Sequence, residues 1–181
     1  SMDNDDMRRG KPSMHIKYGE NIAILTGDSL LTESFYWIAN SNIDPENKAK
    51  IIKIVSELSG ARGMVKGQVL DLQTNINSYQ ELVNIHLHKT KDLIEAAIMS
   101  AAIIANFEKD FFKDIAFYLG MGFQIKDDID DASTDDNSSI LKFVSVERAN
   151  EILKEYKNKC LELIANNLGK KKMYMLVENI I

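Results

Sequence analysis

Proline occurs only at positions 12 and 45, and the long stretch after Pro45 carries apolar residues at helical spacing. Proline removes an amide donor and clashes with the preceding turn, so its absence leaves long helices as the main element open to this chain. Residues 27–39 (GDSLLTESFYWIA) predict a helix, with Asp28 or Ser29 as its cap. Residues 40–44 break it. Asp44 followed by Pro45 starts the next helix, since proline fits the first turn, and Ile51, Ile52, Ile54, Val55 and Leu58 make one face. Ser78-Tyr79-Gln80-Glu81 starts a helix reaching about Ala105, and 106–110 is a join. Residues 111–131 form another helix, 130–139 (DDASTDDNSS) a loop, and 147–167 an amphipathic helix. Residues 168–172 are a C-cap and turn, before a short last helix from Met173. Glycines 60, 63 and 67 interrupt the propensity argument. No window shows sustained two-residue alternation, so the expected fold class is all-α, with no internal repeat.

A chain of 181 residues with 45% apolar content is long enough for one domain with a core, and is not a disordered chain. The net charge of −5 argues against a nucleic-acid partner. It does not argue against a phosphate substrate, because metal ions invert the local field. Cys160 is the single cysteine, which excludes an internal disulfide and a Cys-rich zinc site. No signal peptide opens the chain and no run of 18 apolar residues is present, so the expectation is a cytoplasmic or mature organellar protein with no integral membrane segment.

The chemistry concentrates in residues 120–131, GMGFQIKDDIDD. On a helix, Asp127 and Asp131 stand one turn apart on one face, with Asp128 close beside them. Read as architecture, this is a solvated helix end, with each acid unfavourable by about 0.3–1 kcal/mol against the helix dipole. Read as chemistry, it holds a hard divalent cation such as Mg²⁺ on carboxylate oxygens. Gly120 and Gly122 mark places where another backbone or a ligand approaches closely. A second acidic group, Asp3, Asp5 and Asp6, precedes Arg8-Arg9-Gly10-Lys11-Pro12. It fits either an acidic terminus or a second carboxylate site, with guanidinium forks matched to diphosphate oxygens. Arg8 to Lys11 equally fits a basic surface turn.

His86-Leu87-His88 does not place both rings on one helical face, which disfavours a two-His zinc site. Lys89 beside Thr90 is either a point charge for a phosphate or a snorkelling lysine next to a core histidine. Gly63 and Gly67 give a stripe open to close approach, for a partner or for plain helix packing. The segment is not a P-loop, because GxxxxGK[ST] is absent. Gln68 and Asp71 share a face. Phe111, Phe112, Phe117, Tyr118, Met99 and Met121 are expected in the core. Phe123 is the aromatic candidate for lining a hydrophobic ligand channel, with Gln68 as a second lining candidate.

Together these segments resemble the trans-isoprenyl diphosphate synthases, the farnesyl and geranylgeranyl diphosphate synthase family. Gly120-x-x-Phe123-Gln124-x-x-Asp127-Asp128-x-x-Asp131 is similar to the family's second aspartate-rich motif. Residues 3–12 (DNDDMRRGKP) resemble the tail of the first such motif and the arginine pair after it. Gly19-Glu20-x-x-Ala23-Ile24-Leu25-x-Gly27-Asp28, Gly63-Met64-x-x-Gly67-Gln68-x-x-Asp71-Leu72 and His88-Lys89-Thr90 match further blocks, all in family order.

The resemblance implies an all-α isoprenoid synthase helical bundle around a central cavity, incomplete at the N-terminus, with residues 1–181 the C-terminal portion of a single prenyltransferase domain. It implies condensation of isopentenyl diphosphate with an allylic diphosphate, assisted by up to three Mg²⁺ ions. Asp3, Asp127, Asp128 and Asp131 would then be metal ligands. Arg8 would hold the allylic and Arg9 the isopentenyl diphosphate. Lys89 would touch the allylic diphosphate, and Thr90 and Gln124 would place oxygens near the developing cation. A homodimer is implied as well, with the apolar stretch 22–38 serving core or interface equally.

The chain departs from the family pattern. The Asp pair that opens the first motif, the earlier Gly-Gly-Lys-x-x-Arg segment and an N-terminal helical portion of about 100 residues are missing. Ser1 reads as a tag or cleavage remnant, and the loop near Asp136 and Asn137 is short of the family's lysine-bearing stretch. The expectation is a fragment of an active enzyme, itself with little or no activity, whose product length is not legible. The alternatives are a non-catalytic partner subunit of the same fold and a terpene cyclase.

Overall fold

A computed structural model describes residues 2, 4–8, 10–73, 75–107, 110–132, 138–168 and 172–181. The chain divides into two compact units, Ser1–Lys48 and Ala49–Ile181.

The first unit opens with a small antiparallel hairpin, β1 (Met7–Arg8) against β2 (Lys11–Pro12), in which Arg8 pairs with Lys11. Gly10 turns it with φ of 72°, a conformation that glycine adopts without a steric penalty. Both strands are exposed and only two residues long, too short for alternation to register in the sequence. Helix α1 (Met14–Tyr18) follows, and Gly19 at φ 88° separates it from α2 (Glu20–Asn40). The expected cap at Asp28 or Ser29 is therefore corrected: both lie inside α2, which starts at Glu20. The hydroxyls of Thr26 and Thr32 bond back to the carbonyls of Ile22 and Asp28, so the polar residues near Gly27 are satisfied without a break. No residue of α2 is buried, and Leu25, Leu30 and Trp37 are prominently exposed.

Helix α3 (Pro45–Ser59) begins where Asp44-Pro45 predicts, with the Glu46 amide donating to Asp44 Oδ1 at 2.8 Å. Gly63 lies in the turn after it. A Cβ there would meet the Leu58 carbonyl oxygen at 2.0 Å. The expected stripe thus reduces to Gly67, on α4 (Met64–Gln73).

The next helical run starts at Ser78, whose hydroxyl accepts from the Glu81 amide while Glu81 Oε2 accepts from the Asn77 amide. This reciprocal pairing is a capping box in all but register. The run is not uniform. Helix α5 (Tyr79–His86) passes into a π-helical turn, Leu87–Lys91, and then into α6 (Asp92–Ile104). The Asp92 amide donates to the Leu87 carbonyl, five residues back.

Helix α7 (Phe111–Asp130) is the axis of this unit, packed against α6, the π turn, α8 (Val146–Leu168) and α9 (Lys172–Ile180). It joins two apolar clusters. Phe112, Ile115 and Leu119 meet Ala102, Cys160, Ile164, Val177 and Ile181, while Ile125 meets Leu82, Ile85, Ile140, Ala149 and Ile152. Full burial of each large aliphatic contributes about 1.5–3 kcal/mol. Phe112 and Met121 are core residues as expected, and Phe111, Phe117 and Tyr118 are half-buried. A 3-10 turn, Ile140–Lys142, lies between α7 and α8. The expected C-cap at Gly169 and the loop at Asp136 and Asn137 lie outside the described residues.

The π turn is gripped by two glycines. A Cβ on Gly67 would lie 2.1 Å from the Lys89 backbone nitrogen, and one on Gly120 would lie 2.8 Å from Lys91 Cα. Gly67→Ala should therefore destabilise by about 1–3 kcal/mol, although alanine is the better helix former. Gly27→Ala on α2, where nothing lies within 4 Å, should stabilise by up to about 1 kcal/mol. Denaturant midpoints of the two variants check the contrast, and equal shifts would refute the backbone contact.

Candidate functional site

The two glycines place their helices so that each partner one turn further on catches a side chain from the π turn. Gly67 and Asp71 are i,i+4 on α4, and Lys89 Nζ donates to Asp71 Oδ2 at 2.6 Å. Gly120 and Gln124 are i,i+4 on α7, and Thr90 Oγ1 donates to Gln124 Oε1 at 2.8 Å. Adjacent residues on a helix point about 100° apart, so Lys89 and Thr90 serve different neighbours.

The four acids at the end of α7 separate. Asp127 and Asp131 are exposed, one turn apart on a single face. Asp130 is exposed and pairs with Lys126 at 2.9 Å. Asp128 is 5% exposed and turned inward. Its Oδ1 accepts from Gln124 Nε2 at 2.9 Å and its Oδ2 accepts from the Ile140 amide at 2.7 Å. It follows Met121 and Ile125 along the buried face of α7.

Asp71 joins a second junction. Its Oδ1 accepts from the Ser138 hydroxyl, and the Ser138 carbonyl accepts from His86 Nε2 at 2.9 Å. Residues 138–140 are thus held by Asp71, His86 and Asp128. His88 sits in a separate network. Lys66 Nζ can only donate, so its 3.0 Å contact makes His88 Nε2 an acceptor and leaves Nδ1–H to donate to Asp92 Oδ2 at 2.7 Å. Lys91 closes this network on Asp92 and Glu95, each at 2.7 Å. The His88 ring, engaged at both nitrogens, is not free to serve as a zinc ligand without breaking these bonds.

Thr90, Gln124 and Asp128 form one hydrogen-bonded chain, Lys89 sits next to Thr90 on the π turn but bonds Asp71, and Asp127 and Asp131 lie on either side of Asp128 in sequence at the end of α7. Phe123 is exposed on α7, and Gln68 is half-buried on α4 with a buried Nε2 that has no partner among the described residues. Arg8 belongs to the hairpin of the first unit. Asp3 and Arg9 lie outside the described residues. Asp71 is the residue whose part sequence reasoning misses. Its shared face with Gln68 is visible there, but its partners Lys89 and Ser138 are distant in sequence.

Among the described residues, no group of three or more His, Cys, Asp or Glu side chains is placed to share one metal ion. The expected three-acid cluster at 127, 128 and 131 is not assembled on one surface, because the helical turn that exposes Asp127 and Asp131 buries Asp128. The remaining pair still offers the hard oxygen donors that suit Mg²⁺. Among the described residues, no helix is long and apolar enough to cross a membrane.

The polyprenyl synthetase family pattern matches residues 2–145. Farnesyl diphosphate synthase of Micrococcus luteus is 46% identical over 134 residues, covering 71% of this chain and 46% of its own length. Farnesyl diphosphate synthase of Bacillus subtilis (strain 168) is 35% identical, covering 98% of this chain and 68% of its own length. A solved FPP/GFPP synthase from Zymomonas mobilis superposes with a TM-score of 0.90 at 27% identity, over 99% of this chain and 68% of that one. A solved geranyltransferase from Helicobacter pylori, complexed with magnesium and isoprenyl diphosphate, has a TM-score of 0.80 at 31% identity, over 98% of this chain and 63% of that one. The expected all-α isoprenoid synthase bundle is borne out. The chain spans about half the length of several curated relatives it matches, 46% for the Micrococcus luteus and Cyanophora paradoxa proteins.

Buried His86 makes the junction at Ser138 sensitive to pH. Burial pulls its pKa below the ordinary 6.5, against the opposing pull of Asp128, the Ser138 carbonyl and Asp71. The unfolded chain takes up this proton first as pH falls, so the stabilisation is complete above about pH 6.5 and is lost progressively below it. The unfolding free energy of wild type minus that of His86→Gln should shrink between about pH 7.5 and about pH 5.5. Denaturant melts across that range check it, and a constant difference would contradict a neutral buried imidazole.

Proposed function

The chain belongs to the polyprenyl synthetase family, and on that premise we propose that it acts in a short-chain prenyltransferase, joining isopentenyl diphosphate to an allylic diphosphate to give farnesyl- or geranylgeranyl-length products. The observation that carries the reading is the π turn, which offers an ammonium at Lys89 and a hydroxyl at Thr90 from successive residues, with Gln124 bonded to Thr90. The flanking carboxylates Asp127 and Asp131 on α7 complete the chemical set.

The reaction breaks the allylic C1–O bond, forms a carbon–carbon bond to the isopentenyl double bond and loses a proton, which the departing diphosphate accepts. Bond breaking requires neutralisation of the leaving diphosphate. Lys89 supplies one charge: its flexible stem lets it leave Asp71 for a diphosphate oxygen. Arg8 and Arg9 are proposed for the remaining diphosphate contacts. Mg²⁺ bound at Asp127 and Asp131 would neutralise diphosphate charge further. Thr90 and Gln124 present fixed dipoles to the positive charge that develops on the allylic carbon, and Phe123 and Gln68 are proposed to line its site.

The two compact units are proposed as parts of one prenyltransferase domain, a reading supported by solved single chains that cover 98–99% of this one. The exposed apolar side chains of α2 are proposed as the surface of a homodimer, and the absence of a membrane-spanning helix among the described residues fits a cytoplasmic setting.

Purified full-length protein with Mg²⁺, isopentenyl diphosphate and dimethylallyl or geranyl diphosphate should yield a coupled linear product and be dimeric by light scattering. Lys89→Ala should lower kcat/KM by about 100-fold, the scale of one lost charge-stabilising group. A cyclised hydrocarbon, or no product from the folded wild type, would overturn the proposal.

A further inference from the structure

We infer that Asp128 is a positioning residue rather than a metal ligand: it sets the direction of the hydroxyl dipole at Thr90. The inference rests on the prenyltransferase reading and deepens it by assigning the sign of the electrostatics at that group.

Which groups can donate decides the orientation. A carboxylate only accepts, and a backbone amide only donates. The Ile140 amide holds Asp128 Oδ2 at 2.7 Å, which leaves Oδ1 for Gln124. Gln124 must then present Nε2 to Asp128, at 2.9 Å, and so turns its Oε1 to Thr90. An amide oxygen cannot donate, so Thr90 gives its only proton to Gln124 across 2.8 Å. The hydroxyl is left with lone pairs for anything that approaches from its other side. That is the orientation a carbocation requires, since a preorganised dipole stabilises charge only with the correct end forward.

Reversing the Gln124 amide would reverse the relay. Its Nε2 would donate to Thr90, and Thr90 would turn its proton outward towards the cation. Asp128 forbids this state because its carboxylate accepts no bond from an amide oxygen. For Asp128 to reach an ion beside Asp127 and Asp131, it would have to leave both partners and a 5% exposed position. The burial and the bonds thus assign one role to the exposed acids and a different one to the acid between them.

Asp128→Asn inverts the relay with minimal change of shape. The oxygen of the substituted side chain keeps the Ile140 amide, its new amide nitrogen faces Gln124, and the Gln124 amide turns over. Binding of Mn²⁺ in the presence of inorganic pyrophosphate, read by electron paramagnetic resonance on full-length protein, should change by less than about 2-fold in D128N and weaken by about 10-fold or more in Asp127→Asn. In coupling assays D128N should lower kcat by about 10- to 100-fold while KM for the allylic diphosphate stays within about 3-fold. In a Thr90→Ala background the same substitution should cost less than about 3-fold, because the dipole it controls is already gone.

A loss of Mn²⁺ binding in D128N equal to that in D127N would overturn the inference. So would an equal kcat loss in both backgrounds, the mark of a merely structural role. If D128N does not fold, Asp128→Glu takes its place: unchanged Mn²⁺ binding with reduced kcat supports positioning, and altered Mn²⁺ binding refutes it. If the wild type does not couple the substrates, the prenyltransferase reading fails. The relay is then judged by the Gln124 side-chain amide resonance, which should shift in D128N while the Ile140 amide stays protected. An unshifted resonance would refute it.

Discussion

Close backbone contact on both sides of residues 87–91 is the constraint from which the rest of the second unit follows. Helix α4 reaches this turn through Gly67 and α7 reaches it through Gly120, at separations that leave no room for a Cβ. Side chains one turn beyond each glycine then lie within hydrogen-bond reach of Lys89 and Thr90. A π turn is suited to this seat, because its extra residue widens the helix locally and redirects consecutive side chains. Its i→i+5 bond is less favourable than the regular ladder, and the packing of α4 and α7 compensates by holding it in place.

The same seat connects the Lys89 and Thr90 side chains to residues 138–140. Asp71 bonds both Lys89 and Ser138, while Asp128 bonds both Gln124 and Ile140. A partly buried polar network of this kind stabilises a unique geometry when its members are satisfied. One carboxylate therefore restrains the cation, and the other restrains the amide that receives the hydroxyl proton. The acidic end of α7 faces two ways. Its exposed acids face outward, where a ligand can approach, and its inward acid fixes the neighbouring dipoles.

Much of this is legible in the sequence because it is local. The proline-free apolar spacing, the Asp44-Pro45 start and the Ser78 to Glu81 cap each act within one or two turns, and each is realised. The motif residues Lys89, Thr90, Gln124 and Asp128 stand out through the family resemblance, without any knowledge of their contacts. The π turn is not legible, since an i→i+5 bond leaves no mark in composition. Gly19 does not announce the start of α2, because its positive φ is a backbone property. The role of Asp71 depends on tertiary contacts with residues far along the chain. The inward turn of Asp128 does have a signal: it continues the row of Met121 and Ile125 at helical spacing, but the density of acids around it favours reading a single cluster.

The central claim is that a wound-out turn, not a regular helix, presents Lys89 and Thr90. Scalar coupling across hydrogen bonds, measured by nuclear magnetic resonance on labelled protein, tests it at one bond. The account predicts a coupling from the Asp92 amide nitrogen to the Leu87 carbonyl carbon. A coupling to the His88 carbonyl carbon instead, as in an uninterrupted α-helix, would contradict it.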